Sequence, residues 1–512
     1  MKLAVVYSRA SLGIEAPLVT VETHISRGLP GFTIVGLPEA AVKESKDRVR
    51  SALINSHFEF PTYRITINLG PADLPKEGGR FDLPIALGIL AASGQIPTQS
   101  LCHYEFVGEL ALSGELRSIY GTLAIAIAAR KANRTLMIPL KNADEAVLPG
   151  DNSVLAANHL LEVTAHLTQQ KLLIPYIRKL PLQTDLSLDI EYDLADVKGQ
   201  MHAKRALEIT AAGGHALLMI GPPGTGKTML ASRLPSILPP LSIEEALEVV
   251  AIHSLLPEQH LTPIWGQRPF RAPHHTASAV ALVGGGSRPR PGEVSLAHAG
   301  ILFLDEFPEF DRRVLEVLRE PLESARILIA RAARRVEFPA RFQLVAAMNP
   351  CPCGYLSDPK GRCHCTQQQV MRYRAKISGP LLDRIDLQVE VPALPAETLS
   401  ALNQIPTETS ATVLKRVLVA VKKQHERSPR LNARLTSREL KQFCALTSDT
   451  ERFMTQTIEK LNLSARSYHR LLRVARTIAD LENSETIQIE HLAEAFSFRK
   501  IDRPHFSDKY TH

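Results

Sequence analysis

The run GPPGTGKT, Gly221 to Thr228, stands between an apolar stretch, HALLMI, and a helix-forming stretch, TMLASRL. This order of strand, glycine-rich loop and helix constrains the fold more than any other feature of the chain. Such a loop lets main-chain N–H groups turn inward around phosphate oxygens, while the helix that follows directs its positive end at the same charge. Gly221, Pro222, Pro223, Gly224, Thr225 and Gly226 then form the cradle, Lys227 reaches the β- and γ-phosphoryl oxygens of ATP, and the Thr228 hydroxyl ligates Mg²⁺. A loop of this kind needs a parallel α/β sheet to carry it.

Two further apolar runs supply partners for it. ILFLDE ends in Asp305 and Glu306. The first carboxylate is expected to hold the metal's water and the second to orient or activate the attacking water. The alternative, a charge pair at a helix start before Pro308, does not account for the neighbouring phosphate loop. FQLVAAMNP ends in Asn349, where a polar residue between the two catalytic strands helps place the lytic water in AAA+ proteins. In SGPLLDRID, Arg384 is similar to the arginine that one AAA+ subunit inserts into its neighbour's site to stabilise charge on the transferring phosphoryl group. An intrachain ion pair with Asp383 or Asp386 is the competing reading. Arg466 in LSARSYHRLL is similar to the lid arginine called sensor 2, with Arg470 and Arg473 one and two turns along as rivals.

A chain of 512 residues exceeds one hydrophobic core and divides into several domains. Residues 1–167 alternate β-like runs with Ala-rich helical stretches, an α+β pattern. Residues 168–193 read as a linker, 194–395 alternate strands and helices as a parallel α/β unit, and 396–512 are helical. The formal charge of +7 lies in the last segment, where nineteen Lys/Arg face twelve Asp/Glu from Thr412 to His512. That asymmetry favours a polyanionic partner over a merely solvated basic face. No stretch reaches the roughly 18 consecutive apolar residues of a membrane span, and MKLAVVYSRASLGIEA has no secretory h-region, so a cytoplasmic location is expected.

The order DVKGQ (196–200), GPPGTGKT, RPFRAPHHTAS (268–278), VGGGSRPRPGEVSLAHAGILFLDE (283–306), AAMNPCPCG (346–354) and SGPLLDRID (378–386) resembles the YifB/ComM family of magnesium-chelatase-like AAA+ ATPases along the whole chain. The resemblance implies a Lon-protease-like α+β N-terminal domain, an AAA+ P-loop parallel sheet with helices, and a C-terminal helical lid. It also implies a hexameric, ATP-driven branch-migration helicase acting on single-stranded and branched DNA in natural transformation, with recombination proteins as partners. An AAA+ remodelling ATPase acting on protein and a magnesium-chelatase-type ATPase subunit are the alternatives. Lon-type peptidases need a serine and a lysine. Here the nucleophile run reads Lys76, Glu77, Gly78, Gly79, Arg80, Phe81, Asp82, and the lysine motif corresponds to Gly121, Thr122 and Leu123 with no amine. The domain is therefore expected to be non-proteolytic.

Two features lie outside the ATPase motifs. Cys351, Cys353, Cys363 and Cys365 form two C-x-C pairs whose four thiolates would complete a tetrahedral Zn²⁺ site; a reduced loop packing locally is the alternative. RILIARAARRVEFPARF (326–342) reads as a β-hairpin inserted before the Asn349 strand, with Arg331, Arg334 and Arg335 at or near its tip. A second insert, about 268–290, carries His274, His275 and Arg288. Both inserts are expected to touch DNA phosphates from a central pore, against the plainer reading of exposed basic loops.

Overall fold

Five short segments build the sheet that carries the phosphate loop. Their order is Phe270–Arg271, Ile301–Leu304, Gln343–Met348, Leu217–Ile220 and Leu387–Glu390, and every neighbouring pair is parallel. Strands covered on both faces read as unbroken hydrophobic runs instead of alternating ones, and Ile301–Leu304 is buried at all four positions. The register pairs Ile220 with Met348 and Leu304 with Ala346. Gly221, Asp305 and Asn349 consequently leave the same edge of the sheet, at the carboxyl ends where open α/β sheets bind ligands.

The computed structural model describes residues 2–150, 154–177, 192–256, 265–286, 289–331, 334–356, 361–393, 407–461 and 464–499. Arg288 and most of the expected linker lie outside them, as do the side chains of Arg331 and Arg334. Chain contacts define two compact units. One comprises Met1–Thr184, Ile243–Trp265 and Ala330–Phe338; the other comprises Asp185–Ser242, Gly266–Ile329 and Pro339–His512.

In the unit that carries the phosphate loop, the sheet and the C-terminal helices share one core. Leu217, Met219, Phe303 and Val345 belong to the same buried cluster as Val417 of the helix Ser410–Arg427 and Leu471, Val474, Ala475 and Ile478 of the helix Ala465–Leu481. Spacings of three and four put those lid residues on one stripe. Each fully buried Leu or Ile there contributes about 1.5–3 kcal/mol. The lid helix starts where the Ser464 hydroxyl accepts from Ser467 N at 3.3 Å.

The other unit contains a four-stranded sheet in the order Lys2–Arg9, Leu18–Ser26, Arg64–Gly70, Gly31–Val35, antiparallel except for the last pair. The helix Asp82–Ser93 is apolar all round and buried from Asp82 to Ala92, as such a helix must be. A smaller parallel sheet joins Tyr104–Phe106, Thr135–Pro139 and Val154–Ala157. The buried Glu105 is compensated by Arg9 at 2.7 Å and Arg134 at 3.2 Å. The helix Ile243–His253 completes this unit: Val250 and Ala251 pack on Leu123 and Leu148, and Ser254 O accepts from Gly121 N at 3.2 Å. Its apolar face shows that it is a helix but not which core it covers.

The peptidase-like positions meet in space. Arg80 Nη2 donates to Tyr120 O at 3.4 Å, so a guanidinium stands beside the Gly121–Leu123 segment. The Lys76 side chain is fully buried and its ammonium donates to Pro71 O. An arginine cannot act as the hydroxyl nucleophile of a Ser–Lys pair.

Candidate active site

The phosphate loop is shaped by contacts that only glycine permits. A Cβ on Gly221 would lie 2.1 Å from Val391 O, so the loop can leave the sheet edge there only without a side chain. Gly224 and Gly226 take left-handed φ values of 77° and 84°. Gly226 is followed directly by the helix Lys227–Arg233.

Within this cradle the Lys227 ammonium donates to Gly221 O at 2.8 Å, Pro222 O at 2.9 Å and Asn349 Oδ1 at 3.2 Å. Burial lowers its pKa, and Asp305 works in the opposite direction. The cation thus gathers acceptors of the kind that phosphoryl oxygens would replace. The Thr228 hydroxyl donates to Asp305 Oδ2 at 2.6 Å, while Asp305 Oδ1 accepts from Glu306 N at 2.8 Å. A hydroxyl and a carboxylate side by side suit a hard, oxygen-seeking divalent cation. The sequence-predicted residues Lys227, Thr228, Asp305 and Asn349 therefore form one connected cluster, with Glu306 at its border.

Glu306 holds a left-handed backbone, φ 50° and ψ 43°, before the short turn Phe307–Glu309. Its carboxylate lies 2.9 Å from His275 Nδ1. The sequence places His275 only in an insert expected to touch DNA. No local signal marks it: His275 follows the strand Phe270–Arg271, which is brought beside the strand Ile301–Leu304 that precedes Asp305 and Glu306. Other basic residues of that insert are engaged internally. Arg268 donates to Pro239 O at 2.6 Å and Ala299 O at 2.5 Å, and Arg271 makes a two-point pair with Glu293 at 2.6 and 2.7 Å.

Three segments of the chain match described families: residues 21–142 match "Subunit ChlI of Mg-chelatase", 193–399 match "Magnesium chelatase, subunit ChlI", and 407–499 match "Magnesium chelatase, subunit ChlI C-terminal". The chain is 54% identical over 504 residues to the YifB protein of Salmonella typhimurium, covering 98% of each chain. It is 52% identical over 511 residues to competence protein ComM of Haemophilus influenzae, again covering 98% of each. The magnesium-chelatase 38 kDa subunit of Cereibacter sphaeroides is 26% identical over 181 residues, 31% of this chain and 53% of that one. The chain belongs to the YifB/ComM family of magnesium-chelatase-like AAA+ ATPases. ATP as substrate and Mg²⁺ as its cofactor follow from that membership, and the residues just described fit both.

Not every residue expected in a YifB/ComM active site is gathered at this one. Arg384 hydrogen-bonds to none of the loop residues. It donates from Nη1 to Pro380 O at 2.6 Å and pairs through Nη2 with Glu323, whereas the sequence offers Asp383 and Asp386 as intrachain partners. Arg466 is exposed and makes no hydrogen bond among the described residues. Of its rivals, Arg470 Nη1 stands 4.0 Å from Asp386 Oδ1 and Arg473 Nη2 donates to Leu435 O at 2.7 Å.

The cysteines do converge, just after the strand Gln343–Met348. One sulfur from each of Cys351, Cys353, Cys363 and Cys365 lies within 4.8 Å of the others. The sulfurs of Cys351 and Cys353 are 3.4 Å apart, Cys353 and Cys363 3.6 Å, and Cys351 and Cys363 3.8 Å. Burial, with Cys353 and Cys363 adding to it, pushes the Cys351 thiol up to about 12. At Cys353 burial also acts upward, but Tyr355 N–H and the other cysteines bring it down to about 6. A Cβ on Gly354 would sit 2.6 Å from Pro223 Cδ, so this loop packs tightly on the phosphate loop.

The strands Arg326–Arg331 and Arg334–Pro339 pair as a two-stranded ribbon. Its residues alternate, with Ile327, Ile329, Val336 and Phe338 buried and Arg326, Leu328 and Arg335 exposed. No helix among the described residues is long and apolar enough to cross a membrane.

Glu306, expected from the sequence to orient or activate the attacking water, pairs with His275 and is not among the groups that bond the side chains of Lys227 and Thr228. Glu306→Gln is expected to bind ATP within a few-fold of the unmodified protein while turnover falls about 10²- to 10⁴-fold, read by equilibrium binding and phosphate release. Unchanged turnover would remove Glu306 from that role.

Proposed function

We propose that this ATPase works as a hexameric ring motor that moves on DNA, and that its task is branch migration during recombination of DNA taken up by natural transformation. The observation that carries this reading is the 52% identity, over 98% of both chains, to a protein named as a competence protein. A weaker likeness points the same way: 96 residues are 34% identical to the DNA replication licensing factor Mcm6 of Drosophila melanogaster, although they make up 19% of this chain and 10% of that one. The position of Arg384 supports a ring, because it bonds to Pro380 O and Glu323 and to no residue of the cluster around Lys227, which leaves the developing phosphoryl charge there without that arginine. A neighbouring subunit would supply it. The exposed Arg335 on the ribbon and the basic C-terminal segment are the proposed phosphate grips, together with Arg331, Arg334 and Arg288.

We also read the cysteine cluster as a structural Zn²⁺ site. Four sulfurs this close match the donor set and closed coordination of structural zinc. The metal would supply a rigid cross-link beside Asn349. Purified protein is expected to carry about one zinc per chain, and removal by a chelator should lower the melting temperature of the ATPase unit. Fully active protein without metal would leave a reduced loop as the correct description.

The decisive measurement for the motor is ATP turnover with single-stranded, duplex and four-way-junction DNA. Stimulation by junction DNA and junction movement are expected; stimulation by protein substrates alone would make the chain a remodelling ATPase. Across the subunit boundary, Arg384→Ala should reduce turnover on the order of 10³-fold with ATP affinity retained. Mixing Arg384→Ala subunits with Lys227→Ala subunits should restore part of it, and no recovery in co-assembled rings would refute the shared site.

The ribbon makes a separate prediction. Arg334→Ala combined with Arg335→Ala should weaken DNA binding to a similar extent on unrelated sequences, because a translocating ring holds phosphates and not bases. Each lost phosphate contact should reduce the slope of log K against log salt by about 0.7 to 0.9. Wild-type affinity and salt slope would move the grip elsewhere.

A further inference from the structure

The segment that bears Arg384 is fastened to the lid. Asp386 Oδ2 accepts from Ala216 N at 3.1 Å and lies 3.3 Å from His215 Nδ1. The other ring nitrogen of His215 is 2.8 Å from Thr477 Oγ1 on the lid helix Ala465–Leu481. Arg470 of that helix stands 4.0 Å from the second oxygen of Asp386. A parallel link runs through Arg499, which donates from Nη1 to Ile385 O at 2.8 Å and from Nη2 to Ser467 Oγ at 3.1 Å. The two residues immediately after Arg384 are thus each tied to the same helix.

The fit leaves no slack. His215 is fully buried, and a Cβ on Gly213 would fall 2.2 Å from His215 Nε2 and 2.6 Å from Thr477 Oγ1. Burial acts to raise the Asp386 pKa, but His215, Arg470 and Ala216 N–H together bring it to about 2, so a fixed negative charge anchors the network. Ser467, Arg470 and Thr477 recur at three and seven residues and share one face. Arg466 neighbours Ser467 in the first turn of the same helix. Closely packed elements transmit a displacement instead of absorbing it, so these contacts give a shift of the lid helix a route to Ile385 and Asp386.

We propose that His215 and Asp386 are positioning residues that couple the lid of one subunit to the way its Arg384 is presented to the next subunit's ATP. This rests on the reading of Arg384 as acting across a subunit boundary. A purely stabilising network would look the same in a melting experiment, so the test must read the neighbouring site.

Subunits carrying Arg384→Ala, whose phosphate loops are intact, serve as acceptors. Donors are Lys227→Ala subunits, which keep the arginine but lack a working site, and the double variant Lys227→Ala with Asp386→Asn. Co-assembly is confirmed by native mass spectrometry before turnover is measured. The first donor should restore turnover, and the double variant should restore about 10- to 100-fold less, the size of effect expected when a catalytic group is misplaced by about 1 Å. Equal rescue by both donors would reduce the network to a structural role. Absence of rescue by the first donor in mixed rings would refute the boundary-crossing reading itself, and the coupling with it. If Asp386→Asn does not assemble, Thr477→Val in the donor breaks the lid end of the same relay, and the same two outcomes decide.

Discussion

A buried ammonium organises the ATPase unit. Lys227 is held by two carbonyls of its own loop and by the amide of Asn349, a residue from the adjacent strand. Those bonds exist because the strands ending at Ile220 and Met348 are in register, and because Gly221 lets the loop pass Val391 without collision. Asp305 enters from the next strand and meets Thr228 one residue beyond the lysine. A one-residue slip of either strand would turn its side chains over and separate these groups. The sheet is therefore the jig that sets the chemistry, and the hydrophobic packing of Phe303, Val345 and Met219 sets the sheet.

Much of this was legible beforehand because its determinants are local. An apolar run followed by GPPGTGKT can do little else than leave a buried parallel strand through a phosphate loop, and ILFLDE and FQLVAAMNP carry the same logic. The gathering of four cysteines within fifteen residues is also local, and the loop closes as its length allows. What could not be read depends on distant partners. Arg384 pairs with Glu323, sixty-one positions earlier, and not with the acids beside it. Glu306 meets His275 because two strands are neighbours in space, which no spacing encodes. His215 reads as the first residue of an apolar strand, yet its ring is a polar bridge between Asp386 and Thr477.

The site described is chemically asymmetric. Lys227, Thr228, Asp305 and Asn349 gather at one sheet edge, while Arg384 is held elsewhere on the same chain by Pro380 O and Glu323. On the proposed reading of Arg384, a lone subunit would consume ATP poorly, since charge developing on the transferring group would lack its counterion until another chain provided it. The cysteine loop adds a second constraint, because it packs on Pro223 from the side of Asn349.

The division of the chain into units has a practical corollary. The polypeptide passes between them five times, at the junctions after Thr184, Ser242, Trp265, Ile329 and Phe338. No single cut separates the two folds. A fragment ending near Thr184 would lose the helix that covers Leu123 and Leu148, and a fragment starting near Asp185 would carry that helix with its apolar side stripped of partners. Neither half is a module that could be shuffled onto another protein as a simple block. Division at any one of these junctions would strip the Leu123–Leu148 cluster of its covering helix or split the other unit, so both folds depend on one continuous polypeptide.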